Sequence, residues 1–205
     1  MDCTGAVRRE QICREYNVTA VGCYVLFDEQ TIRSDAGGRI ITDKYYLFTC
    51  ICENPHREEV IKCGQPTARH LCELSGQTLP SEFNPFQGEY EGGGDGGGVN
   101  HGNAVHWHPS RRQLHNAIML FITRYGERLQ PNSPIFSIKE NVERNIEEPV
   151  EARSVCGVNT IIGKFGTTMS EILQYFSRFR PVRDFHFNIL EQILQDRGID
   201  ENNFI

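Results

Sequence analysis

The sequence predicts an α+β fold in which a small β-sheet with one or two helices precedes a helical bundle. Three observations carry this. Runs rich in β-branched and aromatic residues are confined to the first 86 residues, and sustained helical spacing with capping patterns is confined to the last hundred. Between them lies Glu91-Gly-Gly-Gly-Asp95-Gly-Gly-Gly98, with six glycines in eight residues. Such a tract loses too much backbone entropy to hold a helix or strand. We read residues 1–88 as a mixed α/β domain, 89–103 as a linker or loop, and 104–205 as the bundle. A phosphate-cradling loop is the sharper reading of the glycines. It needs a preceding strand, a following helix and a nearby lysine, and the flanks offer none of these.

The elements follow in order. Val7–Tyr16 reads as a short helix with weak periodicity. Val18–Phe27 is a β-rich run, Asp35-Ala-Gly-Gly38 a turn, and Arg39–Thr42 and Tyr45–Cys52 are strands. Asn54-Pro55-His56 turns the chain, and Glu59–Lys62 returns. Pro66–Ser75 reads as a helix, with Pro66 in its first turn and Gly76 just beyond its end. After the glycines, Ser110-Arg-Arg-Gln113 has the form of a capping box before Leu114, Ala117, Ile118, Phe121, Ile122 and Tyr125. Ser137-Ile-Lys-Glu140 and Thr168-Met-Ser-Glu171 repeat that pattern. Val155, Val158, Ile161, Ile162 and Phe165 mark another helix, weakened by Gly157 and Gly163. The last, around Arg183–Asp196, stops at Gly198, with Ile199 set for the usual hydrophobic contact.

Charge bounds the partners. The net charge is −6, with 9 basic and 15 acidic side chains in residues 1–102 and 12 of each in residues 103–205. A dedicated nucleic-acid binder shows a basic excess, so this partner is disfavoured. No apolar run approaches the ~20 residues of a membrane helix. Met1-Asp2-Cys3-Thr4-Gly5 has neither a basic start nor an apolar core, so we expect no secretory signal and a cytoplasmic protein.

The densest chemistry is Cys50, Cys52, Cys63 and Cys72, with His56 and His70 among them. In a reducing compartment such a group points to structural zinc before disulfides. Lys62-Cys63-Gly64 has the look of a zinc knuckle. Cys72 competes with its own helix face, and His56 or His70 are its alternates. The spacing lacks the paired C-x₂-C of a zinc ribbon, so packed free thiols are the competing reading. Cys13, Cys23 and Cys156 read as small buried hydrophobes.

A second group holds His101, His106, His108 and His115, around Trp107 and Asn103. His101, His106 and His108 would serve a metal-dependent hydrolase or nuclease if an acid completed the ligand set. No H-E-x-x-H pattern is present, and a polar aromatic loop docking the linker is the preferred reading. Arg111 and Arg112 stand at a helix start, where they oppose the helix dipole. With Arg178, Arg180 and Arg183 they point either to an anionic partner or to pairing with the acidic first half. Glu147, Glu148 and Glu151 read as a solvated run. The expectation is a non-enzymatic interaction or adaptor protein with structural zinc and a protein partner. A metal-dependent hydrolase and a nucleic-acid-binding regulator are the alternatives.

Overall fold

The fold is α+β, and the chain divides into two compact units. One holds residues 1–84 and 130–132, the other 85–129 and 133–205. The structure is a computed structural model that describes residues 1–27, 29–86 and 106–205. The glycine-rich tract, Asn103 and His101 lie outside the described residues.

The first unit runs α1 (Ala6–Glu15), β1 (Asn17–Val25), β2 (Ile32–Arg33), β3 (Ile40–Ile41), β4 (Lys44–Glu53), β5 (His56–Cys63), α2 (Gln65–Ser75) and β6 (Glu82–Phe83). Its main sheet has the order β5-β4-β1-β6, antiparallel except for β1 and β6. β2 and β3 pair separately. The hairpin β4–β5 holds its register from Glu53↔His56 to Tyr46↔Cys63. Strand period therefore puts Tyr46, Phe48, Cys50 and Cys52 on one face, beside Ile61 and Cys63. Ile12 of α1 and Ala68, Leu71 and Cys72 of α2 complete the core on that face.

The register of β1 on β4 shifts between Ala20 and Gly22, leaving Val21 as an extra residue. Simple alternation would put Val18 and Cys23 on opposite faces. The bulge returns both to the same core. Gly22 is required there, because a Cβ would stand 2.7 Å from the Tyr24 hydroxyl. β6 pairs only with Cys23 and Tyr24, and Gln77 serves the β1 edge beyond it. Its Nε2 donates to Val18 O at 2.5 Å, and its Oε1 accepts from the Ala20 N–H at 2.9 Å. A side-chain amide thus stands in for a neighbouring strand.

The second unit contains α3 (Pro109–Tyr125), α4 (Pro134–Arg144), α5 (Ala152–Lys164), α6 (Met169–Ser177) and α7 (Asn188–Asp196), with a 3₁₀ turn at Gly126–Arg128. Every residue from Ala117 to Thr123 is buried, so α3 is the central helix, touched by α4, α5, α6 and α7. Thr168 and Glu171 form the reciprocal capping box expected of them. The other two capping readings are corrected. Pro109 and Pro134 start α3 and α4 earlier, with His108 and Ser133 as N-caps, and Ser137 donates back to Pro134 O at 2.9 Å. α7 starts at Asn188 and closes as expected: Gly198 is left-handed and the Ile199 N–H reaches Leu194 O at 3.0 Å.

Gly157 and Gly163 lie inside α5 for a packing reason. A Cβ on Gly157 would meet Ile138 Cδ1 at 3.0 Å, and one on Gly163 would meet Glu201 Oε1 at 2.7 Å and Asn203 Nδ2 at 2.8 Å. A clasp forms beside Gly163. Asn159 donates to Glu201 O at 2.7 Å and accepts from the Asn203 N–H at 2.8 Å. Asn203 O in turn accepts from the Met169 N–H at the start of α6. Among the described residues, no helix is long and apolar enough to cross a membrane.

Candidate functional site

The four-cysteine site expected from the sequence is not assembled. Cys50 stands opposite Glu59, whereas Cys63 stands opposite Tyr46, four residues along β4. At strand rise that is a separation of about 13 Å, against the ~2.3 Å bond each thiolate would make to one shared zinc. Gly64 is no knuckle; it is the N-cap of α2, with an ordinary φ of −78°. Cys72 sits on α2 with Sγ directed at Thr78 O, 3.8 Å away. Cys52 Sγ lies 3.7 Å from Asn54 O. The alternates are engaged elsewhere: His70 Nδ1 accepts from Arg9 Nε at 2.8 Å, and His56, at the hairpin end, bonds Glu58 at 2.8 Å. Among the described residues, no three His, Cys, Asp or Glu are placed to hold a metal ion.

What the structure does bring together is a thiol-rich core. Cys3, Cys23, Cys50, Cys52, Cys63 and Cys72 are all buried in it, with Cys13 packed against it. Burial pushes the Cys3 and Cys23 thiols up to about 11. It pushes Cys50 up to about 12 and raises Cys13, Cys63 and Cys72 as well. These are neutral S–H groups at physiological pH, behaving as small hydrophobes. Thiolate is the form that attacks electrophiles, so this environment works against nucleophilic chemistry.

Within the histidine group, His108 and His115 hold structure. His106 is exposed. His108 Nδ1 accepts the Ser110 N–H at 3.3 Å and lies 2.9 Å from Ser110 Oγ, which accepts the Val150 N–H at 3.0 Å. Because Nδ1 accepts an N–H it carries no proton there, so the Ser110 hydroxyl is the donor to it. The separation suits a nucleophile and its base. Ser110, however, is only 3% exposed, and the arrangement caps α3. His115 packs at a tilt against Trp107, with ring centroids 4.9 Å apart, and bonds Glu143 at 3.0 Å. Lys139, 5% exposed, reaches the same carboxylate oxygen at 2.5 Å. Burial works to raise the Glu143 pKa, but these two partners outweigh it and hold the carboxyl below its ordinary value. His115 thus ties α3 to α4, and Lys139, one turn before Glu143 on α4, braces the shared carboxylate.

Arg111 also turns out to be structural. It is 4% exposed, and its guanidinium donates to Glu148 O at 2.7 Å, Asn141 O at 3.0 Å and Val142 O at 3.2 Å. The last two belong to the final turn of α4, whose carbonyls have no partner within the helix. The cation placed against one dipole therefore serves the C-terminal end of another. Arg183 lies over Phe185 at 5.2 Å, and its backbone N–H bonds Pro85 O. Glu147, Glu148 and Glu151 are exposed, as expected of a solvated run.

A different set of arginines makes a surface. Arg124 and Arg128 are four apart and Tyr125 lies between them, so all three share one region of the α3 terminus. The Arg124 guanidinium sits 3.7 Å over the Tyr175 ring and 5.0 Å from Tyr125; Arg128 is 5.9 Å from Tyr125. Tyr125 packs on Phe165 at 5.2 Å, and Tyr175 on Phe179 at 5.2 Å. Arg180 stands 5.9 Å over Phe86. Among the described residues, Arg124, Arg128 and Arg180 form no ion pair with a carboxylate. In the sequence this set is carried by the spacing Arg124-Tyr125-x-x-Arg128.

A family model described as "Uncharacterised conserved protein UCP028583" matches residues 1–202. No curated protein and no solved structure matches the chain.

Proposed function

We propose a function for a chain that belongs to this family of uncharacterised conserved proteins: it is a non-enzymatic interaction protein whose helical unit docks another protein. The observation that carries this is the surface of Arg124 and Arg128, whose guanidiniums lie against the rings of buried Tyr125 and half-buried Tyr175 and, among the described residues, meet no carboxylate. Arginine and tyrosine are the residue types that anchor protein interfaces, because they combine a large apolar area with directed donors. The local roles of the other candidate residues support the same reading. His108 and Arg111 cap helices, and the thiols pack a core. The first unit acts as scaffold.

The test is cross-linking in cells that express either the unaltered chain or an Arg124→Gln, Arg128→Gln double variant. A discrete set of cross-linked proteins lost in the double variant, with its melting temperature within a few degrees of the parent, supports the reading. A cross-linking pattern unchanged by the double substitution overturns it.

A further inference from the structure

We infer that the occupant of the Arg124–Arg128 surface is an acidic peptide segment of a partner protein, held through side-chain carboxylates. This rests on the interaction reading above and adds the chemistry of the partner. A guanidinium is planar by delocalisation, and a ring against its face limits its rotation while leaving its N–H edge able to donate. The fork matches a carboxylate bidentately. Arg124 is held in this way by Tyr175 at 3.7 Å and Tyr125 at 5.0 Å, which lowers the ordering cost of a bond to an incoming acid. Arg128, exposed and 5.9 Å from Tyr125, supplies a second fork within one helical turn. Two carboxylates one helical turn or two strand residues apart would meet both.

The charge balance selects a peptide over a polyanion. Residues 103–205 carry 12 basic and 12 acidic side chains, so the attraction is local to these arginines. Nucleic-acid affinity rests on neutralising many phosphates, and no such field exists here. Phe165, half-buried beside Tyr125 at 5.2 Å, adds apolar area suited to a side chain flanking the acids.

The experiment titrates the full chain into a fluorescein-labelled peptide of alternating glutamate and leucine, followed by fluorescence polarisation. The matched probes are a peptide with glutamine for glutamate, one with phosphoserine for glutamate, and labelled oligo(dT). The expected result is binding of the glutamate peptide with at least tenfold loss for the glutamine peptide, about 1.4 kcal/mol. Arg128→Gln should weaken binding at least fivefold without altering the circular dichroism spectrum. Arg124→Lys should weaken it likewise, since lysine keeps the charge and loses the fork. Equal binding of the glutamate and glutamine peptides overturns the inference, as does indifference to both arginines. A tenfold preference for phosphoserine reassigns the source to phosphate, and tighter binding of oligo(dT) reassigns it to nucleic acid; either overturns the carboxylate assignment. If the peptide fails while arginine-dependent cross-links persist in cells, the peptide chemistry falls and the interaction reading stands.

Discussion

Replacing Arg111 by methionine tests whether the buried cation is what closes α4. The guanidinium donates to three backbone carbonyls, those of Asn141, Val142 and Glu148, at 2.7–3.2 Å. A hydrogen bond from a charged donor contributes about 1.5–3 kcal/mol. Three would sum to well over 4 kcal/mol, but a helix terminus can open and admit water to its carbonyls. Methionine also keeps most of the packing of the arginine stem. We therefore expect a loss of roughly 3–4 kcal/mol, in the range for breaking a buried charged group's network. For a unit of this size that is a fall of roughly 10–15 °C in melting temperature. Arg111→Lys should recover about half, because one ammonium reaches fewer of the three carbonyls. Urea unfolding followed by far-ultraviolet circular dichroism measures both. A loss below about 1 kcal/mol for methionine would refute the capping argument, and so would a lysine variant no better than methionine.

Gln77→Leu removes both partners of the β1 edge, Val18 O and the Ala20 N–H, and should cost about 2–3 kcal/mol in urea unfolding. A loss under ~0.5 kcal/mol would mean that water replaces the amide. Glu143 titrates below its ordinary value, so the stability it contributes is present above the ordinary carboxylate range and is lost as pH falls through its lowered pKa. The stability difference between parent and Glu143→Gln should therefore shrink as pH falls below the ordinary carboxylate range; a gap constant with pH would remove Glu143 from the network. The raised thiols act in the opposite sense. Their contribution is complete below the unfolded thiol value near 9 and declines as pH rises toward about 11 for Cys3 and Cys23 and about 12 for Cys50. Native labelling with a thiol reagent at neutral pH should accordingly be confined to the half-exposed Cys13 and Cys156, with the rest reacting only in denaturant; fast labelling of Cys50 or Cys63 would refute the packed-thiol account.

The architecture was legible where local chemistry and tertiary packing agree. Pro66 and Gly76 bracket a helix in sequence and in space, and Thr168 with Glu171 caps α6 as its pattern implies. The helix of Gly157 and Gly163 was legible through its apolar spacing even though the glycines weaken it. Their purpose was not legible, because it lies in Ile138, Glu201 and Asn203, distant in sequence. The arrangement of the cysteine group was not legible for the same reason. The two strands and their turn were legible, but not the register and full length of the β4–β5 hairpin, which sets Cys63 against Tyr46 rather than near Cys50. Arg111 looked misplaced because a helix start was visible and the α4 terminus it serves was not. The Arg124-Tyr125-x-x-Arg128 spacing was visible but has meaning only once Tyr175 closes over Arg124.

The clasp of Asn159 with Glu201 and Asn203 bears on how the second unit comes apart. Chain ends ordinarily fray first, exchanging their amide hydrogens long before the interior does. Here the Asn203 amide is held by α5 and its carbonyl by the first residue of α6. Releasing residues 201–204 therefore exposes a buried asparagine in the middle of a helix and frees the start of another. The tail and these two helices should open as one cooperative block, with the amide hydrogens of Asn203 and Met169 exchanging at the same slow rate.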